Sequence, residues 1–194
     1  MKKRLYFVLF VLASCLQHTK AQEIAIKSNI VYDLTATINL GAEYVVAPQW
    51  TIELSGNYNN WTFSHQRKWK HWFFQPELRY WLEGSLKGHF VGLQMQGGKH
   101  NIGNLKNGLH FLGTDFSKLS DDRYQGWFVG TGVTYGYAWR LHNHWSIETE
   151  VGIGYNYTRN DHYPCATCGE RIESNKTHHY FGLTELAFNV VYLF

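Results

Sequence analysis

Apolar and polar residues alternate along most of this chain, and that period of two limits it to half-buried β-strands. In "WTIELSGNYNNW", Trp50, Ile52, Leu54, Gly56 and Tyr58 alternate with Thr51, Glu53, Ser55, Asn57 and Asn59. "WFFQPELRYWLE" sets Trp72, Phe74, Pro76, Leu78, Tyr80 and Leu82 against Phe73, Gln75, Glu77, Arg79, Trp81 and Glu83. "WFVGTGVTYGYAWRL" and "WSIETEVGIGYNY" repeat the pattern, and further strands are expected near 24–32, 39–47, 89–100 and 180–194. The 3.6-residue period is absent, and past the first residues no apolar run is long enough for a membrane helix. Eight strands in sequence order suffice to close a sheet on itself and remove its edges.

A soluble lipocalin-like barrel would show the same alternation with the faces reversed. Three features favour apolar residues outside. Gly92, Gly130, Gly132, Gly136, Gly152 and Gly154 share the charged face, where small residues relieve crowding inside a narrow barrel. Aromatics bound the apolar face (Trp50, Trp72, Trp127, Trp139, Trp145, Tyr58, Tyr157, Tyr192 and Phe194), as at two lipid–water interfaces. Connections alternate in length: 47–49, 84–88 and 142–144 are short, 62–71, 101–125 and 158–179 are long, and 33–38 lies between. The sequence therefore predicts an all-β, eight-stranded antiparallel up-and-down transmembrane β-barrel with short periplasmic turns and longer extracellular loops.

"MKKRLYFVLFVLASCLQHTKAQ" reads as a secretory signal, three basic residues followed by an apolar run too short to span a bilayer. Cleavage after Ala21 gives a signal peptide over 1–21 and one domain over 22–194. Leu12-Ala13-Ser14-Cys15 offers a competing bacterial lipobox that would leave a lipidated Cys15. The full chain carries 18 basic and 15 acidic residues. The leader takes four of the basic residues (Lys2, Lys3, Arg4, Lys20) and no acid, leaving 14 against 15. That balance gives no argument for nucleic acid as a partner.

On this register the lumen receives Lys27, Glu43, Glu53, Glu77, Arg79, Gln94, Gln96, Arg140, Glu148, Glu150 and Glu185. Six carboxylates face three cations in an interior just wide enough for side chains, so a plug of ion pairs, shared protons or trapped water is expected rather than a pore. The last nine residues, "LAFNVVYLF", are similar to the outer-membrane assembly signal, with Leu186, Phe188, Val190, Tyr192 and Phe194 turned to lipid.

Four places carry residues of types suited to chemistry or ligand binding. His144-Trp145-Ser146 has the His-x-Ser spacing of one lipid A deacylase family but falls on a short turn, away from outer-leaflet acyl chains. Ser64-His65 has no carboxylate in its loop to orient the histidine. Cys165-x-x-Cys168 suits a small loop disulfide, a zinc site completed by His178 and His179, or two free thiols. Arg67, Lys68 and Lys70, with no acid nearby in sequence, suit lipopolysaccharide phosphates or plain solvation. Segment 101–125, carrying Phe111, Leu112 and Phe116, is long enough to cover the barrel mouth or contact a partner.

Several stretches, "AQEIAIKSNIVYDLTATINLGAEYVVAPQWTIELSGNYNNWTF", "KHWFFQPELRYW", "GHFVGLQMQGGKHNIG", "RYQGWFVGTGVTYGYAW" and "YPCATCGERI", resemble a domain-of-unknown-function family of small Gram-negative outer-membrane barrels. The resemblance covers essentially the whole mature chain and implies cleavage before Gln22, a Cys-x-x-Cys that belongs to the family pattern, and neighbourhood with fimbria or surface-assembly proteins. It supplies no catalytic residues and no cofactor. The expected function is a non-enzymatic outer-membrane barrel displaying loops for surface interaction, adhesion or fimbria-type assembly, or stiffening the membrane. Its expected partners are outer-membrane lipids and lipopolysaccharide, the outer-membrane assembly machinery and a surface or fimbrial protein. The alternative is a small enzyme acting on lipid A or phospholipid.

Overall fold

The computed structural model describes residues 24–63, 67–104, 110–111, 114–115, 122–165, 167 and 169–194. Eight long strands account for most of them: β1 Ile24–Asn29, β2 Ile38–Ala47, β3 Trp50–Asn59, β4 Arg67–Trp81, β5 Gly88–Gly103, β6 Arg123–Arg140, β7 Trp145–Tyr163 and β8 Glu173–Leu193. Each pairs antiparallel with its sequence neighbours, and β1 pairs with β8, so the sheet closes into a ring of eight. A single helical turn, α1 (Ile30–Asp33), follows β1, with the Asn29 side chain accepting from Val31 N at 3.0 Å as its cap. No helix among the described residues is long and apolar enough to cross a membrane.

The ring has two unlike rims. At one lie the start of β1 and the last residue of β8's chain segment, joined where Phe194 N donates to Ile24 O at 3.0 Å, and the short connections after β2, β4 and β6. At the other, β4 through β8 run well past β1–β3, and β7 and β8 pair as far as His162 with Glu173. The strands are longer than their alternation suggests: segments expected as loops at 62–71, 101–125 and 158–179 are in part ladder, while 30–32 is helical turn. The cause is solvation. Where both faces of a strand are wet, backbone hydrogen bonds still form but the apolar alternation that announces them is lost.

The faces sort as the alternation requires. Outward-facing Ile52, Leu54, Phe74, Leu78, Leu93, Val133, Ile153, Leu186 and Phe188 are exposed, while Lys27, Glu43, Glu53, Glu77, Arg79, Glu148 and Glu150 are buried inside the ring. Interior glycines make that charged filling possible. A Cβ on Gly92 would stand 2.8 Å from Glu77 Cδ, and one on Gly136 would stand 2.6 Å from Phe90 Cε1.

Candidate functional site

The lumen holds one compact ionic cluster. Lys27 Nζ lies 2.5 Å from Glu43 Oε2, 2.9 Å from Glu53 Oε2 and 3.0 Å from Glu148 Oε1. Arg79 reaches the same three through Nη1, at 3.2, 2.6 and 3.0 Å, and uses Nη2 for Glu77 at 2.9 Å and Glu150 at 2.5 Å. Five carboxylates from β2, β3, β4 and β7 thus converge on two cations from β1 and β4. Polar neighbours finish the shell: Asn189 Nδ2 donates to Glu148 Oε1 at 3.0 Å, Thr51 Oγ1 to Glu43, and Thr134 Oγ1 to Glu77. Glu150 Oε1 has no hydrogen-bond partner within the described residues.

Of the expected lumen residues, Arg140 sits outside the lumen and Glu185 sits within it but apart from the ionic cluster. Arg140 is exposed at the end of β6, its Nη1 donating to Asn143 O at 3.3 Å. Its parity points inward, but the strand ends at the rim, where an inward direction opens to solvent. Glu185 lies above the cluster, receives a hydrogen bond from Gln75, and belongs to an amide layer in which Gln75 also donates to Gln94 and Gln94 Nε2 donates to Thr184 Oγ1 at 2.6 Å. Gln96 lies higher still, donating to Asn156 Oδ1 at 2.7 Å.

Aromatic layers lie on both sides of the ionic cluster. At the short-turn end Trp81, Phe90, Leu86, Val191, Leu193, Ala25 and Ala138 pack together, with the Trp81 and Phe90 ring centroids 4.6 Å apart. Trp81 Nε1 donates to Thr51 Oγ1 at 2.8 Å, and the Arg79 guanidinium lies 4.4 Å from the Phe90 centroid, which ties this layer to the cluster. Towards the long-loop end Phe73 meets Tyr32 of α1 edge-on at 5.9 Å and Phe128 at 6.0 Å. Sequence reasoning missed both layers. The signal was available: Phe73, Trp81, Phe90 and Phe128 occupy the parity otherwise given to glycines and charges.

The remaining candidates disperse. Ser146 Oγ donates to Trp139 O at 2.9 Å, while the His144 ring is 2.9 Å from Leu193 O and stacks on Tyr192, so the serine hydroxyl is directed to a backbone carbonyl rather than to the histidine. Ser64 and His65 lie outside the described residues, as do Cys15 and the rest of 1–23, Leu112 and Phe116. Cys165 is disulfide-bonded, and Cys168 lies outside the described residues. His178 and His179 are consecutive in β8 and project to opposite faces, His179 against Tyr155 and Tyr157. Among the described residues no group of His, Cys, Asp or Glu is arranged to hold a metal ion.

Beyond the apolar band the outer surface turns basic. Lys68 and Lys70 continue the outward parity of β4, whereas the Arg67 side chain is not among the described parts. In register, Lys70 faces Asn101, Asn101 faces Gln125, and Gln125 faces Asp161; one step nearer the band the row runs Trp72, Lys99, Trp127 and Arg159. The Arg123 guanidinium sits 3.9 Å above the Tyr163 ring. At the tip of the β7–β8 hairpin, Asn175 N and Arg171 Nη1 each donate to Asp161 at 2.9 Å and hold its carboxyl below the usual range. Lys176 does the same to Glu173 from 2.8 Å.

The terminal residues alternate through to the end: Leu186, Phe188 and Phe194 are exposed, Val190 and Tyr192 half-buried on the same face, and Ala187, Asn189, Val191 and Leu193 buried on the other. No curated protein matches the sequence. A family model described as "Protein of unknown function (DUF3575)" matches residues 6–194, essentially the whole chain, and the protein belongs to that family.

Proposed function

We propose that this chain is an outer-membrane β-barrel of a Gram-negative bacterium, with a plugged lumen and a non-enzymatic role carried by its long-loop end. That role is surface interaction, adhesion or fimbria-type assembly, or mechanical support of the membrane. The observation that carries the reading is the inverted partition: seven ionisable side chains are enclosed while Leu, Ile, Val, Phe and Trp ring the outside. Water penalises that arrangement twice, by exposing a continuous apolar surface and by burying charge, whereas hydrocarbon removes the first penalty. Short connections at the rim where β1 starts and β8 ends fit a periplasmic side, and the tall β4–β8 wall fits the exterior.

The stacked interior supports the plug. An ion entering from either rim meets an aromatic layer before it reaches the Lys27–Arg79 cluster. The test uses the mature chain, residues 22–194, refolded in detergent. It is expected to require detergent, to take label from lipid-phase probes and to pass no ion current in planar bilayers. A monodisperse, unlabelled protein in plain buffer would overturn the membrane reading, and a steady ion-selective current would overturn the plug. The competing class is a lipid-modifying enzyme. Incubation with lipid A and phospholipid, followed by mass spectrometry, is expected to return both intact; clean acyl release would establish the enzyme instead.

A further inference from the structure

A groove of about 450 Å³ opens near the top of β3–β7, and its composition differs from that of the apolar band below it. Trp72 and Trp127 form its walls, with Lys99 between them in the same row, and Lys70, Asn101 and Gln125 lie one step above. The one carboxylate along it, Asp161, is occupied by Asn175 N and Arg171. Among the described residues no carboxylate pairs with Lys70 or Lys99.

Height identifies the setting. Lys99 stands eleven residues along β5 from Gly88 at the short-turn rim. At ~3.4 Å per residue and a strand tilt of ~40°, that is roughly 29 Å. An outer-membrane apolar band is about 25 Å tall, so the two lysines rise just beyond it while Tyr58 and Trp72 mark its edge. A side chain there meets headgroups rather than acyl chains or bulk water.

We propose that this groove is a binding site for the phosphorylated aminosugar headgroup of an outer-leaflet glycolipid of the lipid A type. The inference rests on the membrane reading above and adds a ligand and an address to it. Lys70 and Lys99 supply charge-assisted hydrogen bonds to phosphate, and the Asn101 and Gln125 amides match ring hydroxyls and acylamido groups. Trp72 and Trp127 offer flat apolar faces to the sugar, with their lower edges continuous with the surface that the acyl chains cover. An aromatic-walled groove with two cations at the rim of an apolar wall suits an amphiphile whose charge and sugar adjoin its hydrocarbon. A free phosphosugar would forgo the contact with the band, and a zwitterionic phospholipid would leave one lysine without an anionic partner and the Asn101 and Gln125 amides bonded only to each other, at 3.4 Å.

The experiment is native mass spectrometry of the refolded mature protein released from micelles doped with bis-phosphorylated lipid A, its dephosphorylated form, or soluble glucosamine phosphate. The parent is expected to retain the bis-phosphorylated lipid. Retention falls roughly tenfold or more for the dephosphorylated lipid and for the Lys70→Glu, Lys99→Glu double variant. Lys87→Glu, at the opposite rim, keeps parental retention. An unchanged thermal midpoint confirms that the double variant is folded. Equal retention of the phosphorylated and dephosphorylated lipids, or parental retention by the folded double variant, would overturn the site. Retention of the soluble phosphosugar as strong as that of the lipid would overturn the glycolipid as its ligand. Failure of the membrane reading has a separate signature, solubility without detergent.

Discussion

Replacing Arg79 with Met removes the charge that connects the lumen while leaving most of the volume. In the parent, the guanidinium contacts Glu43, Glu53, Glu77, Glu148 and Glu150. Lys27 can still serve Glu43, Glu53 and Glu148 in the variant, but among the described residues Glu77 keeps only Thr134, and Glu150 loses the one ion pair it makes. Breaking a buried pair from one side costs about 3–5 kcal/mol, because it strands the partner charge. The Met stem stays beside Phe90, so packing loss adds little. For a chain of 150–250 residues each kcal/mol moves the thermal midpoint by about 2–4 °C, which puts the expected drop at about 6–20 °C. The assay is thermal unfolding of refolded mature protein in detergent, followed by circular dichroism and by heat-modified gel mobility. A second variant isolates the cause: Arg79→Met with Glu77→Gln and Glu150→Gln, which neutralises the stranded carboxylates, recovers at least half of the loss. A single variant within about 2 °C of the parent would refute the argument. So would a triple variant no more stable than the single one.

Three further outcomes follow from other parts of the molecule. Gly136→Val drives a branched side chain against the Phe90 ring and is expected to cost about 1–3 kcal/mol, read as a lowered midpoint in the same assay. Alkylation of the intact mature protein is expected to leave Cys165 unmodified until a reductant is added; modification without reductant would contradict the disulfide. At the β7–β8 tip, Asn175 N and Arg171 depress the Asp161 carboxyl below its ordinary 3.8, so its support for the hairpin is complete above that pH and is lost as pH falls through the lower folded value. Carboxyl NMR titration is expected to place the Asp161 midpoint below 3.8 in the parent and to raise it in Arg171→Ala; equal midpoints would contradict this.

The alternation in "WTIELSGNYNNW" was enough to assign both faces of β3, because a period of two admits only one assignment once a single residue is placed. Membership of the ionic cluster followed for Lys27, Glu43, Glu53, Glu77, Arg79, Glu148 and Glu150. Arg140 escaped because parity gives direction but not height, and a residue at the rim points inward into water. The tall part of β7 escaped for a related reason. "TRNDHY" has polar residues on both faces, so nothing in its pattern distinguishes a ladder from a loop. The groove escaped because it is assembled across strands: Lys70, Lys99 and Trp127 are far apart in sequence and meet only through the pairing register.

The interior bears directly on where function can reside. Two cations hold five carboxylates at mid-height, an aromatic layer lies on either side, and the glycines opposite them leave no room to spare. A side chain that moved to admit an ion or substrate would have to break several buried contacts together, and the nearest replacement partners belong to the same cluster. Chemistry that requires a guest inside the ring is therefore costly at every step, whereas recognition on the outer wall costs nothing in the core. Lys70, Lys99 and Arg159 can change without touching Lys27 or Arg79, since they occupy the opposite face of the same sheet. The fold thus divides its side chains by parity: one face fixes the ring, and the other, together with the hairpin above it, can vary without disturbing that interior.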